Sequence, residues 1–152
     1  MLEQIVKVLR HLENEGYTMK NLHPNNVFVN LDDPSDVLIT DVGFADIPGI
    51  EPSIDCQAKF IAPELTDLPT PDEGEPSDVN TIANANPGMA DIWSLGKIAM
   101  YMSLGSTEVD LRQLDEEVGE DVADFIRSCL MDEPSKRMAA KTLIHHALFD
   151  ET

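Results

Sequence analysis

The longest apolar segment of the chain covers residues 90–105 and reads ADIWSLGKIAMYMSLG. Its apolar side chains recur around the whole circumference of a helix, whereas a surface helix has one apolar stripe. A glycine lies just before and just after it, which is typical of a helix start and stop. It is too short to span a bilayer. The pattern predicts a buried central helix from Asp91 to Leu104, with Trp93 and Leu95 largely buried.

The segments before it predict one helix and one hairpin. Residues 2–15 place apolar side chains at helical spacing, and Gly16 is the predicted C-terminal cap. Residues 27–31 (VFVNL) and 37–40 (VLIT) are short runs rich in β-branched side chains. The turn chemistry of Asp and Pro in residues 32–36 separates them, which favours a β-hairpin.

The rest of the chain adds a long loop and two helices. Residues 66–87 are rich in Pro, Asp, Glu, Asn and Thr and offer little to bury, so we expect an acidic, mobile insertion. Residues 122–131 predict a helix ended by Pro134, and residues 139–148 predict a last helix. This order of elements indicates a single α+β, mostly α, domain over residues 1–152.

Charge and cysteine content narrow the classes of partner and compartment. The 29 acidic and 10 basic residues give a formal net charge of -19. Such a charge disfavours nucleic acid and anionic membranes as partners, and leaves either a solvated acidic surface or a basic protein partner. Cys56 and Cys129 form no CxxC pair, so a zinc site is not expected. With two cysteines and no visible signal or membrane span, we expect an intracellular, cytoplasmic protein.

Five segments resemble, in order, parts of the C-terminal lobe (C-lobe) of eukaryotic protein kinases. NLHPNNVFVN at 21–30 resembles the catalytic loop and the strand after it, and ITDVGFA at 39–45 resembles the DFG element. FIAPEL at 60–65 resembles the APE element, ADIWSLG at 90–96 the central helix, and residues 129–149 the last two helices. Five motifs in the family's order imply a kinase C-lobe-like helical domain with a small β-hairpin.

The resemblance breaks at the reaction centre. Kinase chemistry needs a carboxylate near the acceptor hydroxyl and a cation near the transferred phosphoryl group. The resemblance places Asn21 at the catalytic Asp position, where a neutral amide cannot accept the substrate proton. It places His23 at the Lys position and Gln57 where Ser/Thr kinases usually have Thr. We therefore expect no catalytic residues, with Asn21, His23 and Gln57 as degenerate positions.

Two positions still match the family's magnesium ligands. Asn26 matches the metal-binding Asn, and Asp41 matches the Asp of DFG. Both carry oxygen ligands suited to magnesium. Two interpretations stay open: a vestigial, weak metal site, or structural ties in which Asn26 bonds its own loop and Asp41 caps the turn before Gly43. The second is favoured because the sequence has no G-x-G-x-x-G phosphate loop.

The sequence starts in the helix that opens the C-lobe of the family, so we expect the N-terminal lobe (N-lobe) to be absent. In the family, that lobe holds adenine and the phosphates. We therefore expect no cofactor, and weak binding of magnesium-ATP only if an N-lobe is supplied.

Three positions with structural roles match the kinase family better than the positions that take part in its chemistry. Glu64 and Arg137 match a pair that forms a buried ion pair in the family, and Asp91 matches the residue that receives the catalytic-loop backbone. The resemblance therefore implies a retained scaffold around an altered reaction centre.

These expectations indicate a catalytically inactive, pseudokinase-like C-lobe that serves as a protein interaction or regulatory module. A protein partner or a second copy would use the uncovered surface that faces the N-lobe in the family, near Val27–Val29, Leu38 and Ile39. Two alternatives stay open. The chain could be the C-terminal part of a kinase that receives an N-lobe from a longer chain or a partner, or a folded product without a role.

Overall fold

The computed structural model describes residues 1–42, 58–66 and 88–150 of the chain. The predictions for Gln57 and for residues 67–87 of the expected insertion lie outside these ranges. Thr66, the first residue of that insertion, ends a short helix and therefore belongs to regular structure.

The described residues form six α-helices, one hairpin and four 3₁₀ turns. The helices are α1 (Leu2–Asn14), α2 (Pro63–Thr66), α3 (Met89–Leu104), α4 (Leu114–Val118), α5 (Glu120–Cys129) and α6 (Ala140–Leu143). The strands are β1 (Val27–Val29) and β2 (Val37–Ile39), and the 3₁₀ turns are Pro24–Asn26, Ala58–Phe60, Pro134–Lys136 and Ala147–Phe149. This architecture confirms the predicted α+β, mostly helical fold. No helix in the described ranges is long and apolar enough to cross a bilayer.

Helix α1 covers one side of the core, as its helical spacing predicted. Ile5, Val6 and Leu9 are buried on its inner face. Gly16 ends the helix in the left-handed region with φ of 78°, and the Tyr17 N–H donates to the Leu12 carbonyl at 2.8 Å. Because this conformation suits glycine, the predicted C-terminal cap is confirmed.

The predicted hairpin is present, and its two faces differ. Strands β1 and β2 pair antiparallel, with Phe28 directly opposite Leu38. Val27, Val37 and Ile39 are partly buried against the core, whereas Phe28 and Leu38 are 53% and 62% exposed. The alternation follows from the two-residue period of a strand, which sends neighbouring side chains to opposite faces.

Helix α3 is the centre of the core over most of its length. Eight of its residues are buried, among them Ile92, Leu95 and Ile98, while Trp93 is only partly buried. The prediction of burial on every side is wrong for the last turn, because Tyr101 and Met102 are each 48% exposed. The last turn is covered on one side only, where Met100 is buried and Leu104 packs against the core.

Helices α3 and α5 approach closely at Gly96. A Cβ atom added at Gly96 would lie 2.6 Å from the Cβ of Cys129 and 2.9 Å from two side-chain atoms of Leu130. Burial raises the pKa of the Cys129 thiol, so this cysteine is an inert core residue. The contact requires glycine because no side chain fits between the two helices.

The two C-terminal helices differ from their predicted bounds. Helix α5 is as long as the predicted helix 122–131 but begins and ends two residues earlier, at Glu120 and Cys129. The Arg137 guanidinium binds the Met131 carbonyl, just beyond its end, at 2.8 Å. The predicted helix 139–148 is a single turn, α6, followed by a 3₁₀ turn that the His146 side chain caps. In both places a side chain binds backbone groups outside the helix, which ends the helical ladder early.

We expect Gly96→Ala to destabilise the fold by about 1–3 kcal/mol, since an added methyl group forces the two helices apart. The measurement is urea unfolding followed by circular dichroism. Ser103→Ala, on an exposed position of the same helix, is the matched control and should change the free energy of unfolding by less than about 0.5 kcal/mol. Equal effects of the two substitutions would show that the close contact is absent.

Candidate functional site

The loop before the hairpin is tied to the start of α3 by one carboxylate. Asp91 accepts hydrogen bonds from the Met19 N–H at 2.8 Å and from the Lys20 N–H at 2.7 Å. The Asp91 side chain is almost fully buried, and Lys20 adopts a left-handed φ of 58°. Burial of a carboxylate without a partner is unfavourable, and the two hydrogen bonds offset part of that cost. The same bonds hold the loop at residues 19 and 20 against the start of α3.

Burial raises the pKa of Asp91 from its ordinary value of 3.8 to about 6, although the Met19 and Lys20 hydrogen bonds oppose the rise. The folded chain holds the Asp91 proton more tightly than the unfolded chain does. The contribution of Asp91 to the free energy of unfolding is therefore present at low pH, where its carboxyl is protonated. It is lost as the pH rises through about 6.

Asn26 binds its own loop at both ends of its amide. Its Oδ1 accepts from the His23 N–H at 3.1 Å, and its Nδ2 donates to the Asn21 carbonyl at 2.8 Å. The side chain is fully buried. The amide therefore closes the turn Pro24–Asn26 as part of a reciprocal cap.

His23 completes that cap and is held neutral. Its Nδ1 accepts the Asn25 N–H at 3.3 Å, so the ring proton of the neutral form lies on Nε2. Burial lowers the pKa of His23, and the carboxylate of Asp41 opposes this only in part. At neutral pH the ring is a donor and an acceptor rather than a cation.

The structure brings Asn21 and Asp41 together at the end of the hairpin. The Asn21 Nδ2 lies 3.5 Å from the Asp41 carbonyl, and the Asn21 Oδ1 is buried without a hydrogen-bond partner. Asp41 is exposed and adopts a left-handed φ of 62°. The neighbourhood of the predicted reaction centre thus contains one exposed carboxylate and one amide.

The structure describes the surroundings of the two predicted magnesium ligands. Magnesium is bound in near-octahedral geometry, usually by one or two carboxylates, with waters or substrate phosphates completing its shell. The Asn26 amide is buried and bonded to the loop at both ends, which leaves only Asp41 exposed of the two predicted ligands. Across the described ranges no group of three or more His, Cys, Asp or Glu side chains is placed to hold a metal ion.

The predicted contact between Glu64 and Arg137 is present. The two side chains form a bidentate pair at 2.6 and 2.8 Å, and the Arg137 side chain is fully buried. Arg137 also donates to the carbonyls of Met89 and Met131 at 2.8 Å, and its guanidinium lies 5.0 Å from the Trp93 ring. One guanidinium therefore connects α2, the start of α3 and the turn after α5.

Two further features near the loop were not predicted. Ser94 donates its hydroxyl to the Phe60 carbonyl at 2.7 Å, and this connects the turn Ala58–Phe60 to α3. A cavity of about 410 Å³ lies beside His23, Lys59 and Tyr101. The only sequence signal for the first was a serine in an otherwise apolar helix. The cavity brings together segments too far apart in sequence for any local pattern to reveal.

We expect Arg137→Met to destabilise the chain by about 3–5 kcal/mol, because it leaves the Glu64 carboxylate buried without a partner. Arg112→Met is the matched control, since Arg112 pairs with Asp110 at the surface and such pairs contribute about 0–1 kcal/mol. Urea unfolding at neutral pH measures both. Similar losses for the two variants would contradict a special role for the buried pair.

Asp91→Asn should remove the part of the pH dependence of stability that comes from the titration of Asp91. Between about pH 4 and pH 7 the unsubstituted chain should lose roughly 1–3 kcal/mol of stability relative to the variant, because the variant has no proton to release. Urea unfolding across this pH range measures the difference. Asp110→Asn is the control: Arg112 lowers the pKa of Asp110 to about 2, so its titration lies below the range. If the unsubstituted chain instead became more stable than the Asp91→Asn variant as the pH rises, the raised pKa of Asp91 would be contradicted.

Comparison with known proteins agrees with this geometry. The sequence matches the family model of the protein kinase domain over residues 1–149. It is 27% identical to the serine/threonine-protein kinase RAD53 of Saccharomyces cerevisiae, over 94% of this chain and 20% of that protein. It is 26% identical to the calcium/calmodulin-dependent protein kinase cmkB of Emericella nidulans, over 96% of this chain and 39% of that protein.

A third relative is the calcium/calmodulin-dependent protein kinase type I of Schizosaccharomyces pombe. It is 25% identical over 99% of this chain and 48% of that protein. The chain therefore spans half or less of the length of these three relatives. Since the family model covers nearly all of the sequence, the chain belongs to the protein kinase domain family.

Proposed function

We propose that this chain is a catalytically inactive kinase domain segment that serves as a protein interaction or regulatory module. The observation that carries the proposal is the amide of Asn21 at the position of the family's catalytic carboxylate. An amide cannot accept the proton of an attacking hydroxyl, and general-base assistance is worth about 10²–10⁴ in rate. Two cysteines, one of them buried, favour a reducing compartment such as the cytoplasm.

The surroundings of Asn21 support the same proposal. His23 replaces a lysine, and its lowered pKa leaves no positive charge there at neutral pH to stabilise a transferred phosphoryl group. Asn26 uses its amide to close its own turn, so Asp41 is the exposed oxygen donor of the pair. The contacts of these residues support a structural role in the loop rather than a role in nucleotide binding.

The exposed face of the hairpin supports the interaction role. Phe28 and Leu38 stand side by side on it and are more than half exposed. Contiguous exposed apolar patches mark binding surfaces, whereas apolar residues that are exposed singly are ordinary. A module that binds a partner needs such a surface and needs no reaction centre.

A second candidate is the C-terminal part of an active kinase. The three relatives are kinases, and the chain covers only 20–48% of their length. In that case an N-lobe from a longer chain or a partner would supply the phosphate loop and its lysine. The Asn21 amide argues against this candidate, because adding a lobe does not restore the carboxylate.

The test is a thermal-shift titration with ATP and magnesium at moderate salt, together with an assay for phosphoryl transfer to peptides. We expect no transfer, and weak stabilisation or none, since Asn21 offers no base and the Asn26 amide is bonded to its own loop. The control variant is Asp41→Ala. Stabilisation of the unsubstituted chain that disappears in Asp41→Ala would mean a working nucleotide site and would replace the proposal with the second candidate.

A further inference from the structure

The cavity of about 410 Å³ lies where three segments of the described chain meet. Its walls come from the loop around Pro24, from the turn Ala58–Phe60, and from the end of α3 with residues 105–108 after it. Its size lies in the range of about 300–1,000 Å³ that is typical of small-molecule sites. The cavity is large enough for a small molecule, and the chemistry of its walls indicates which kind.

Each wall is held by hydrogen bonds within the chain. Asn26 closes the loop with its amide, and Ser94 on α3 donates to the Phe60 carbonyl at 2.7 Å. The Lys97 ammonium, also on α3, donates to the Thr107 carbonyl at 2.9 Å. Because these bonds need no ligand, the walls are in place before binding, which favours affinity.

The His23 ring supplies a hydrogen-bond donor. His23 is only 7% exposed, and its Nδ1 accepts from the Asn25 N–H, which leaves the proton of the neutral ring on Nε2. In the described ranges, the buried side-chain atoms without a hydrogen-bond partner are the Asn21 Oδ1 and the Trp93 Nε1. The His23 Nε2 has no such partner either and is not among those atoms, so it is accessible. Since His23 lines the cavity, its N–H can donate to an occupant.

Lys59 supplies a positive charge. Its side chain is exposed at the cavity, and its ammonium forms no ion pair or hydrogen bond with any residue that the structure describes. Glu108 brings a carboxylate to the same cavity, but this carboxylate acts on a second cation. Burial lowers the pKa of Lys97, and the charge of Glu108 opposes that shift. The charges of Glu108 and Lys97 offset each other, which leaves Lys59 to attract an anion.

Two aromatic rings form the apolar part of the wall. The rings of Phe60 and Tyr101 meet edge to face, with their centroids 6.2 Å apart. Phe60 is buried, whereas Tyr101 is about half exposed although it belongs to the central helix. Aromatic rings pair favourably in offset and edge-to-face arrangements. The uncovered part of Tyr101 therefore offers a surface to a second ring.

We propose that this cavity binds a small aromatic carboxylate. The carboxylate accepts hydrogen bonds from the Lys59 ammonium and the His23 Nε2–H, and the aromatic ring packs against Tyr101. A single negative charge matches one unpaired lysine. A phosphate dianion would bring a second charge toward Glu108 and toward a chain of formal net charge -19. The inference goes beyond the proposed function, because neither protein interaction nor phosphoryl transfer requires this ligand.

The probe is 2-naphthoate, titrated into the full chain and followed by amide chemical shifts in NMR spectra. Acetate supplies the carboxylate without the ring, 2-naphthol the ring without the charge, and 2-naphthyl phosphate the ring with a dianion. We expect naphthoate to bind about tenfold more tightly than each of the other three, with the largest shifts near Lys59 and Tyr101. Equal binding of acetate or naphthol would overturn the joint role of charge and ring, and tighter binding of the phosphate would overturn the choice of a carboxylate.

Lys59→Gln tests the charge. It should weaken naphthoate binding by about tenfold, because the hydrogen bond to the carboxylate is no longer charge-assisted on the donor side. The matched control is Lys141→Gln, an exposed lysine on α6, which changes the net charge equally and should alter binding by less than about twofold. Since both lysines are exposed, the melting temperatures should stay close to that of the unsubstituted chain. Equal losses would show general attraction of an anion to lysines and would overturn the site.

Two further variants test the donor and the aromatic wall. His23→Asn keeps a side-chain oxygen that can accept the Asn25 N–H but removes the Nε2 donor. Tyr101→Leu removes the ring, and its control is Tyr17→Leu, an exposed tyrosine that is not among the described residues lining the cavity. We expect the first two variants to weaken naphthoate binding by about fivefold and the control by less than about twofold. Unchanged binding in His23→Asn and Tyr101→Leu would overturn the proposed contacts.

Asp41→Ala separates this site from a nucleotide site. Asp41 is not among the described residues that line the cavity, so its removal should leave naphthoate binding within about twofold. Loss of naphthoate binding in Asp41→Ala would overturn the placement of the ligand in the cavity. Absence of naphthoate binding to the unsubstituted chain would overturn this inference alone. Nucleotide stabilisation that Asp41→Ala abolishes would instead overturn the proposed function, so the two failures are distinguishable.

Discussion

The conformation of the loop before the hairpin depends on one buried carboxylate at the start of the central helix. Asp91 holds the Met19 and Lys20 N–H groups at 2.8 and 2.7 Å, and these bonds fix Lys20 in a left-handed conformation that a lysine rarely adopts. Burial of the charge is unfavourable, whereas hydrogen bonds to a charged group contribute about 1.5–3 kcal/mol each. The raised pKa of Asp91 shows that the desolvation cost is not fully offset. The loop and the helix are therefore stable only together.

A second set of contacts fixes the other side of the central helix. Arg137 binds Glu64 and the carbonyls of Met89 and Met131, and Ser94 binds the carbonyl of Phe60. Three of these bonds join a turn to a helix, and the bond to Met131 holds the segment that follows α5. The fold thus uses polar side chains of the core to position loops that have few apolar residues of their own. The contribution of these contacts to stability does not depend on whether the loops carry out chemistry.

The elements that long local patterns specify could be predicted from the sequence. The central helix, the hairpin and the cap at Gly16 follow from spacing and turn chemistry, and the pair Glu64–Arg137 followed from the family resemblance. The bounds of α5 and the length of α6 could not be predicted, because Arg137 and His146 bind backbone groups that lie just outside the helical pattern. The exposure of Tyr101 depends on which side of the last helical turn other elements cover, which is a property of the whole fold. At the site, sequence left the role of Asn26 open, and its two loop hydrogen bonds now favour the structural interpretation.

The central claim is that the scaffold alone, without nucleotide, holds the loop that contains Asn21. Hydrogen exchange of the Met19 and Lys20 amides, followed by NMR without ligand, tests it most directly. Because both N–H groups bind a buried carboxylate, their exchange should be as slow as that of the core amides of the central helix, and magnesium-ATP should leave it unchanged. Rapid exchange at both amides, or protection that appears only when magnesium-ATP is added, would contradict the account.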